Sequence, residues 1–292
     1  MWRWRKIIYG FLIVLAVWNL ILWVKINYQS SQENLRVIFL DVGQGDAILI
    51  EQGENQFLID GGRSEKKLLE KLGQFMPFWD RQIEVVEITH PDSDHITGLI
   101  GALKNYQVNF ILKTQVESST QTYQSLKEVI DREIAQGGQV VEGLYGVRLR
   151  FPNGAQAEIY YPFAETDKEV RDKNATSIVT KITYGQNSFL LMGDLPIAEE
   201  RELIGFNLPL QSNVLKLGHH GSRYSSSPEF LRYVHPQTAI ISVGKNRYGH
   251  PHQEVIRRLS REKINFWRTD RRGDIEYLCN PQSCQVIFHP TN

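Results

Sequence analysis

Thr89 to Gly98 reads THPDSDHITG, which puts four side chains able to hold a metal, His90, Asp92, Asp94 and His95, inside six residues. The stretch follows IEVVEIT, an apolar run that reads as a buried strand, and precedes HITGLIGALKNY, whose apolar residues recur at helical spacing. A loop between a strand end and a helix has rigid neighbours, so it can turn several side chains toward one point. Carboxylate oxygens and imidazole nitrogens together suit borderline to hard divalent ions such as Zn²⁺, Mn²⁺ or Fe²⁺. The competing reading is a polar loop whose acids cap the following helix. Asp94 alone would satisfy it, because a cap requires one such residue and the others stay unexplained.

The remaining histidines sharpen the pattern. His219 and His220 in KLGHHGS, His250 in YGHPH and Asp194 in LLMGD each end a run that reads as a strand. Ligands at several strand ends converge on one edge of a layered αβ domain. His235 and His289 read as surface or packing residues and His252 as a helix start, while one of His219 and His220 fits a core position equally well.

Around these motifs short apolar runs alternate with amphipathic ones. LRVIFLD, AILIEQ, QFLID and NFILKT read as strands, SEKKLLEKLGQF as a helix with Ser64 at its cap, and TYQSLKEVIDREIAQGG as a helix closed by Gly137 and Gly138. In the second half VRLRF, AEIYYP, TSIVTKITY, NSFLLMGD, SNVLKLG and TAIISVG read as strands. IAEERELIG, SPEFLRYV and HQEVIRRLSRE read as helices, with further strands near the end. A 292-residue chain that is 41% hydrophobic and 23% charged is neither disordered nor a multi-span membrane protein. The expected fold class is α/β, one domain over residues 35–292 with two packed sheets and outer helices.

Residues 7–24 contain no charge and one amide, Asn19. As a helix they would rise about 27 Å, enough to cross most of a bilayer core. Trp2, Trp4 and Trp23 flank the run, and Arg3, Arg5 and Lys6 precede it while Lys25 follows. This predicts a membrane anchor at residues 1–25, N-terminus cytoplasmic, a linker at 26–34, and the remaining domain outside the membrane. The alternative is a cleaved signal peptide, but KINYQSSQEN after the run offers no small-residue cleavage site. Cys279 and Cys284 bracket a turn between two strand-like runs, so they either close a disulfide across a hairpin or stay reduced.

HxDxDH at 90–95 followed by GD at 193–194 resembles the metallo-β-lactamase fold. DVGQGDA at 41–47, DGG at 60–62, KLGHHGS at 216–222 and GHP at 249–251 are similar to its competence branch, the external hydrolase domain of ComEC-type proteins. The resemblance runs over about residues 36–275. It implies an αββα sandwich of two mixed β-sheets with a two-metal hydrolytic site along one edge. It puts His90 and Asp92 on one metal, Asp94 and His95 on the other, and Asp194 between them. His250 matches the last histidine ligand, and His219 is a ligand or the general acid. Asp46 and Asp60 would orient ligands, His219 or His220 would protonate a leaving oxygen, and Lys216 would contact phosphate or stand solvated at a strand end. Asn174 and Ser177 would bind substrate or hold a loop. Two departures matter. Asp92 stands where the usual pattern has histidine, which shifts that half from Zn²⁺ toward Mn²⁺. No histidine lies from 96 to 218, where a further one is expected, so the site holds one or two divalent ions.

The resemblance further implies a nuclease acting on DNA outside the membrane during uptake; with one span expected, the chain is either a partner to a separate channel protein or a stand-alone surface hydrolase. Residues 26–292 carry 29 basic against 33 acidic groups, so no global positive field draws nucleic acid. The local attraction expected instead is the cluster Arg257, Arg258, Arg261, Lys263, Arg268, Arg271 and Arg272, with Phe266 and Trp267 among them. The alternatives are a hydrolase of small esters or lactones on the same metals and a non-catalytic binding module.

Overall fold

Alternation along β1 (Leu35–Phe39) sets the layering. Leu35, Val37 and Phe39 face an inner core, whereas Ile38 and the following Leu40 face the opposite side. The computed structural model describes Trp4 and residues 11–12, 14–20, 33–164 and 170–290. Among these, fifteen strands form two sheets.

The first sheet runs in the order β15 (Cys284–His289), β14 (Asp274–Cys279), β1, β2 (Ile48–Gln52), β3 (Asn55–Ile59), β4 (Gln82–Ile88), β5 (Gln107–Lys113), β6 (Gln139–Glu142). It is antiparallel from β15 to β3 and parallel from β3 to β6. The second runs β13 (Asn265–Arg268), β12 (Thr238–Ile241), β11 (Val214–Lys216), β10 (Asn187–Leu191), β9 (Val179–Tyr184), β8 (Gln156–Tyr161), β7 (Arg148–Arg150). Its first four strands are parallel and the rest antiparallel. Both sheets are therefore mixed.

Between the sheets Val37, Phe39, Ile50, Phe57, Ile182, Phe189 and Tyr277 form the inner core. The outer face of the first sheet is covered by α1 (Glu65–Phe75), α2 (Ser93–Asn105) and α3 (Gln121–Ala135). That of the second is covered by α4 (Ile197–Gly205), α5 (Pro228–Val234) and α6 (Gln253–Arg261). Three of these helices, α1, α3 and α5, start where short polar side chains take up free N–H groups: Ser64 accepts from the Lys67 amide, Thr120 from Tyr123 and Ser227 from Phe230.

Three features depart from the sequence expectation. β6 is a short edge strand with little burial contrast, and α7 (Thr269–Arg272) is a single turn, so neither carries a periodic signal. More important for the site, the four-ligand stretch is not wholly a loop. α2 begins at Ser93, which puts Asp94 and His95 in its first turn, and Asp92 at the cap position makes no side-chain capping bond.

Much of the expected span at 7–24 lies outside the described residues. Residues 11–12 and 14–20 are helical and exposed. No helix among the described residues is long and apolar enough to cross a membrane. Cys279 and Cys284 face each other across the β14–β15 hairpin and are joined by a disulfide.

Candidate metal centre

The candidate ligands stand at the ends of β3, β4, β10 and β11, where the two sheets meet along one edge. The end of β3 is locked onto α2 by backbone hydrogen bonds at three glycines. The Gly61 amide donates to the His95 carbonyl at 2.7 Å and the Gly98 amide to Gly62 at 2.9 Å. A Cβ on Gly98 would lie 1.8 Å from the Gly61 carbonyl oxygen, so only glycine permits this approach. It places Asp60 beside His95.

Asp60 is fully buried and accepts from the Thr89 amide at 2.9 Å and hydroxyl at 2.6 Å. Its Oδ2 lies 2.7 Å from His95 Nδ1, which leaves His95 Nε2 directed inward. His220 is fixed in the same way, its Nδ1 donating to the Ser242 carbonyl at 3.0 Å. The two Nε2 atoms approach to 3.3 Å, and each stands 3.4 Å from Asp194 Oδ2. Asp94 Oδ2 is 3.7 Å from His220 Nε2. Asp94, His95 and His220 thus offer atoms to one point, and His90, His95 and Asp194 offer atoms to another.

His90 takes the second position alone from its side of the cleft. Its Nδ1 meets the Thr89 hydroxyl at 3.0 Å, while Nε2 is buried without a hydrogen-bond partner, 3.9 Å from both Asp92 Oδ2 and Asp194 Oδ2. Asp194 Oδ1 is also buried without a hydrogen-bond partner, 3.9 Å from Lys216 Nζ. Orphaned buried polar atoms are costly. Two of them beside a convergent His/Asp set fit divalent-metal ligation.

The charges respond to this crowding. Burial alone would depress His95 and His220, but Asp194 outweighs it, aided by Asp60 at His95 and Asp46 at His220. His95 is held well above its ordinary value and His220 is raised to about 9. Asp194 is held well below the carboxylate range because His220 and His95 overcome its burial. His90 is pushed down to about 3 by burial and by the neighbouring His95.

The structure sorts the paired histidines. His219 and His220 both adopt left-handed backbone, φ 49° and 53°, so their side chains diverge. His220 enters the ligand cluster. His219 stays partly exposed at the mouth, its Nε2 3.8 Å from Asp194 Oδ2 and its Nδ1 3.4 Å from Asn174 Nδ2. His250, expected as the last ligand, lies one ring further out, 5.2 Å from the His219 ring and 6.5 Å from the His220 ring, and joins none of the convergent groups.

Other expectations are corrected. Lys216 does not reach a substrate: it is fully buried beneath the cluster, paired with Asp46 and donating to the Gly193 carbonyl at 2.9 Å. Ser177 fits the second of its two expected roles, holding a loop, since it is buried and its hydroxyl accepts from the Asp194 amide at 3.1 Å. The basic cluster at 257–272 is not one open surface. Arg258 is spent on the Ser225, Ser226 and Arg223 carbonyls and on Glu254. Arg268 is paired with Asp270, and Arg272 lies over the Trp267 and Phe288 rings. Thr89 and the Ser242 carbonyl were not singled out from sequence. Thr89 adjoins the motif, but a carbonyl acceptor carries no side-chain signal.

Two mixed sheets, flanking helices and this ligand set at one edge make the protein a metallo-beta-lactamase-fold domain. Residues 40–122 match the metallo-beta-lactamase superfamily. The fold is similar to the metallo-beta-lactamase fold protein YhfI of Bacillus subtilis, with TM-score 0.54 and 12% identity over 83% of this chain and 99% of that one. Within that class the likeness is to ComEC-type competence proteins. ComE operon protein 3 of Bacillus subtilis is 31% identical over 86% of this chain and 34% of its own length. Competence protein ComA of Neisseria gonorrhoeae is 27% identical over 81% of this chain and 31% of its own length. The chain thus spans about a third of the length of these relatives.

Proposed function

We propose that the chain is a membrane-anchored, divalent-metal-dependent phosphodiesterase that cuts DNA outside the membrane in competence-type DNA uptake. The observation that carries the hydrolytic part is the convergence of Asp94, His95, Asp194 and His220 beside the orphaned His90 Nε2. Asp94, His95, His220, Asp194 and His90, with Asp92 beside His90, would hold one or two divalent ions, Mn²⁺ or Zn²⁺. Such ions, when bound, supply a water nucleophile at neutral pH and neutralise charge building on phosphoryl oxygens.

The chain's own residues do the rest. Asp60 and the Ser242 carbonyl fix the tautomers of His95 and His220, so their Nε2 atoms need no reorganisation. Lys216 and Ser177 hold Asp46 and Asp194 from below. His219 is the group at the mouth able to exchange a proton with substrate. Burial pushes it below its ordinary value against the pull of Asp194.

DNA as substrate is supported by the competence relatives, and a position outside the membrane by the Cys279–Cys284 bridge, which suits an oxidising compartment. The test is cleavage of single- and double-stranded DNA with Mn²⁺, Zn²⁺ or Mg²⁺, beside hydrolysis of nitrophenyl esters. Metal-dependent DNA cleavage lost in Asp94→Ala and Asp194→Ala is expected. Ester hydrolysis without DNA cleavage would overturn the reading.

A further inference from the structure

The loops that follow β11 and β12 carry what the 257–272 cluster does not. Tyr224 and Tyr248 are 66% and 60% exposed. A run of rings leads to Tyr248 from the metal centre. His219 meets His250 at 5.2 Å, and His250 meets Tyr248 at 5.7 Å with the planes inclined by only 31°. On the other side His250 meets His252 at 4.9 Å, and His252 Nδ1 accepts from the Arg223 amide at 3.2 Å. The Arg223 guanidinium lies 5.4 Å from the Tyr224 ring centroid.

The two loops are tied together and braced. The His252 amide donates to the Gly221 carbonyl at 2.9 Å. The Asn246 side chain donates to the Gly244 and His250 carbonyls at 2.9 Å and accepts from the Tyr248 and His250 amides at 3.1 Å. Tyr248 is therefore displayed on a fixed turn. Arg223, Lys245 and Arg247 are exposed beside the tyrosines, and the acid that follows the second loop, Glu254, is paired with Arg258 while also facing the charge of Arg223. Sequence-tolerant single-strand binding combines these same elements, aromatic faces for bases and cations for the backbone.

We propose that Tyr248 and Tyr224, flanked by Arg223, Lys245 and Arg247, form a stacking seat for the bases of a single-stranded nucleic acid at the mouth of the metal centre. The inference rests on the phosphodiesterase reading for its substrate class. It moves the strand-binding surface from residues 257–272 to the two loops that follow β11 and β12. A base stacked on Tyr248 is two ring contacts from His219, so the seat positions the neighbouring phosphate for the centre.

The test uses the full chain in detergent with chelator present, so that binding is read without cleavage. A labelled thymidine oligonucleotide is compared with an abasic one of the same length and charge. The wild type is expected to prefer the base-bearing strand about tenfold. The double variant Tyr224→Ala/Tyr248→Ala is expected to keep less than about twofold of that preference, and Tyr224→Phe/Tyr248→Phe to restore it. With Mn²⁺ the loss reads as a raised KM for the oligonucleotide with little change in kcat. Equal affinity of the wild type for both strands, or full preference in the double alanine variant, overturns the seat. A retained preference with no cleavage under any metal overturns the phosphodiesterase reading alone.

Discussion

His95 is aimed by a residue that does not face the substrate. Asp60 holds its Nδ1 and is itself held by Thr89, so the ligand geometry depends on a buried relay of three side chains. Asp60→Asn is expected to weaken divalent-metal binding roughly 10- to 100-fold. Calorimetric titration of the variant beside the wild type checks this. Far from the centre, burial raises the Glu51 carboxyl to about 7 despite its ion pair with Arg36. The folded chain then binds more protons there than the unfolded chain between about pH 4.5 and 7. This group therefore favours folding most below that window, and its contribution is lost as pH rises through it. The change is at most about 3 kcal/mol. Urea unfolding at pH 5 and pH 8 should show a fall in the wild type that is smaller in Glu51→Gln, and an identical fall in both would rule Glu51 out as its source.

Among the elements, the contact between the end of β3 and α2 links fold to site. Gly98→Ala would press a methyl group into the Gly61 backbone, with an expected cost of about 3 kcal/mol and a parallel loss of metal affinity through the displaced Asp60 and His95. Denaturant unfolding and metal titration of the same variant measure both. Most elements were legible from sequence because their periodicity matched their burial: Val37 and Phe39 alternate with Ile38 along β1, and Ser64 marks the start of α1. β6 and α7 are too short to build a period. The ligand types were legible as well, but not the division of labour between His219 and His220. That depends on two successive left-handed residues, a backbone property with no signature in histidine side chains. Lys216 misled for a related reason, since a lysine near a strand end reads as solvated until its buried partner Asp46 is known.

At the scale of the whole molecule the ligands come from strands far apart in sequence, and the two sheets must assemble before any of them converge. Metal binding should therefore stabilise the folded state as a whole, raising Tm with ion concentration, which a thermal melt with and without chelator detects. Reducing the Cys279–Cys284 bridge, which ties one end of the first sheet, should cost about 2 kcal/mol without removing metal. The central claim is that Asp94, His95, His220 and Asp194, with His90, form a divalent-metal centre. Calorimetric titration of chelator-treated protein with Mn²⁺ and Zn²⁺, in the wild type and Asp194→Ala, tests it most directly. The account predicts saturable binding in the wild type that Asp194→Ala abolishes or weakens at least about 100-fold. Wild-type protein that binds neither ion, or Asp194→Ala that binds both with wild-type affinity, would contradict it.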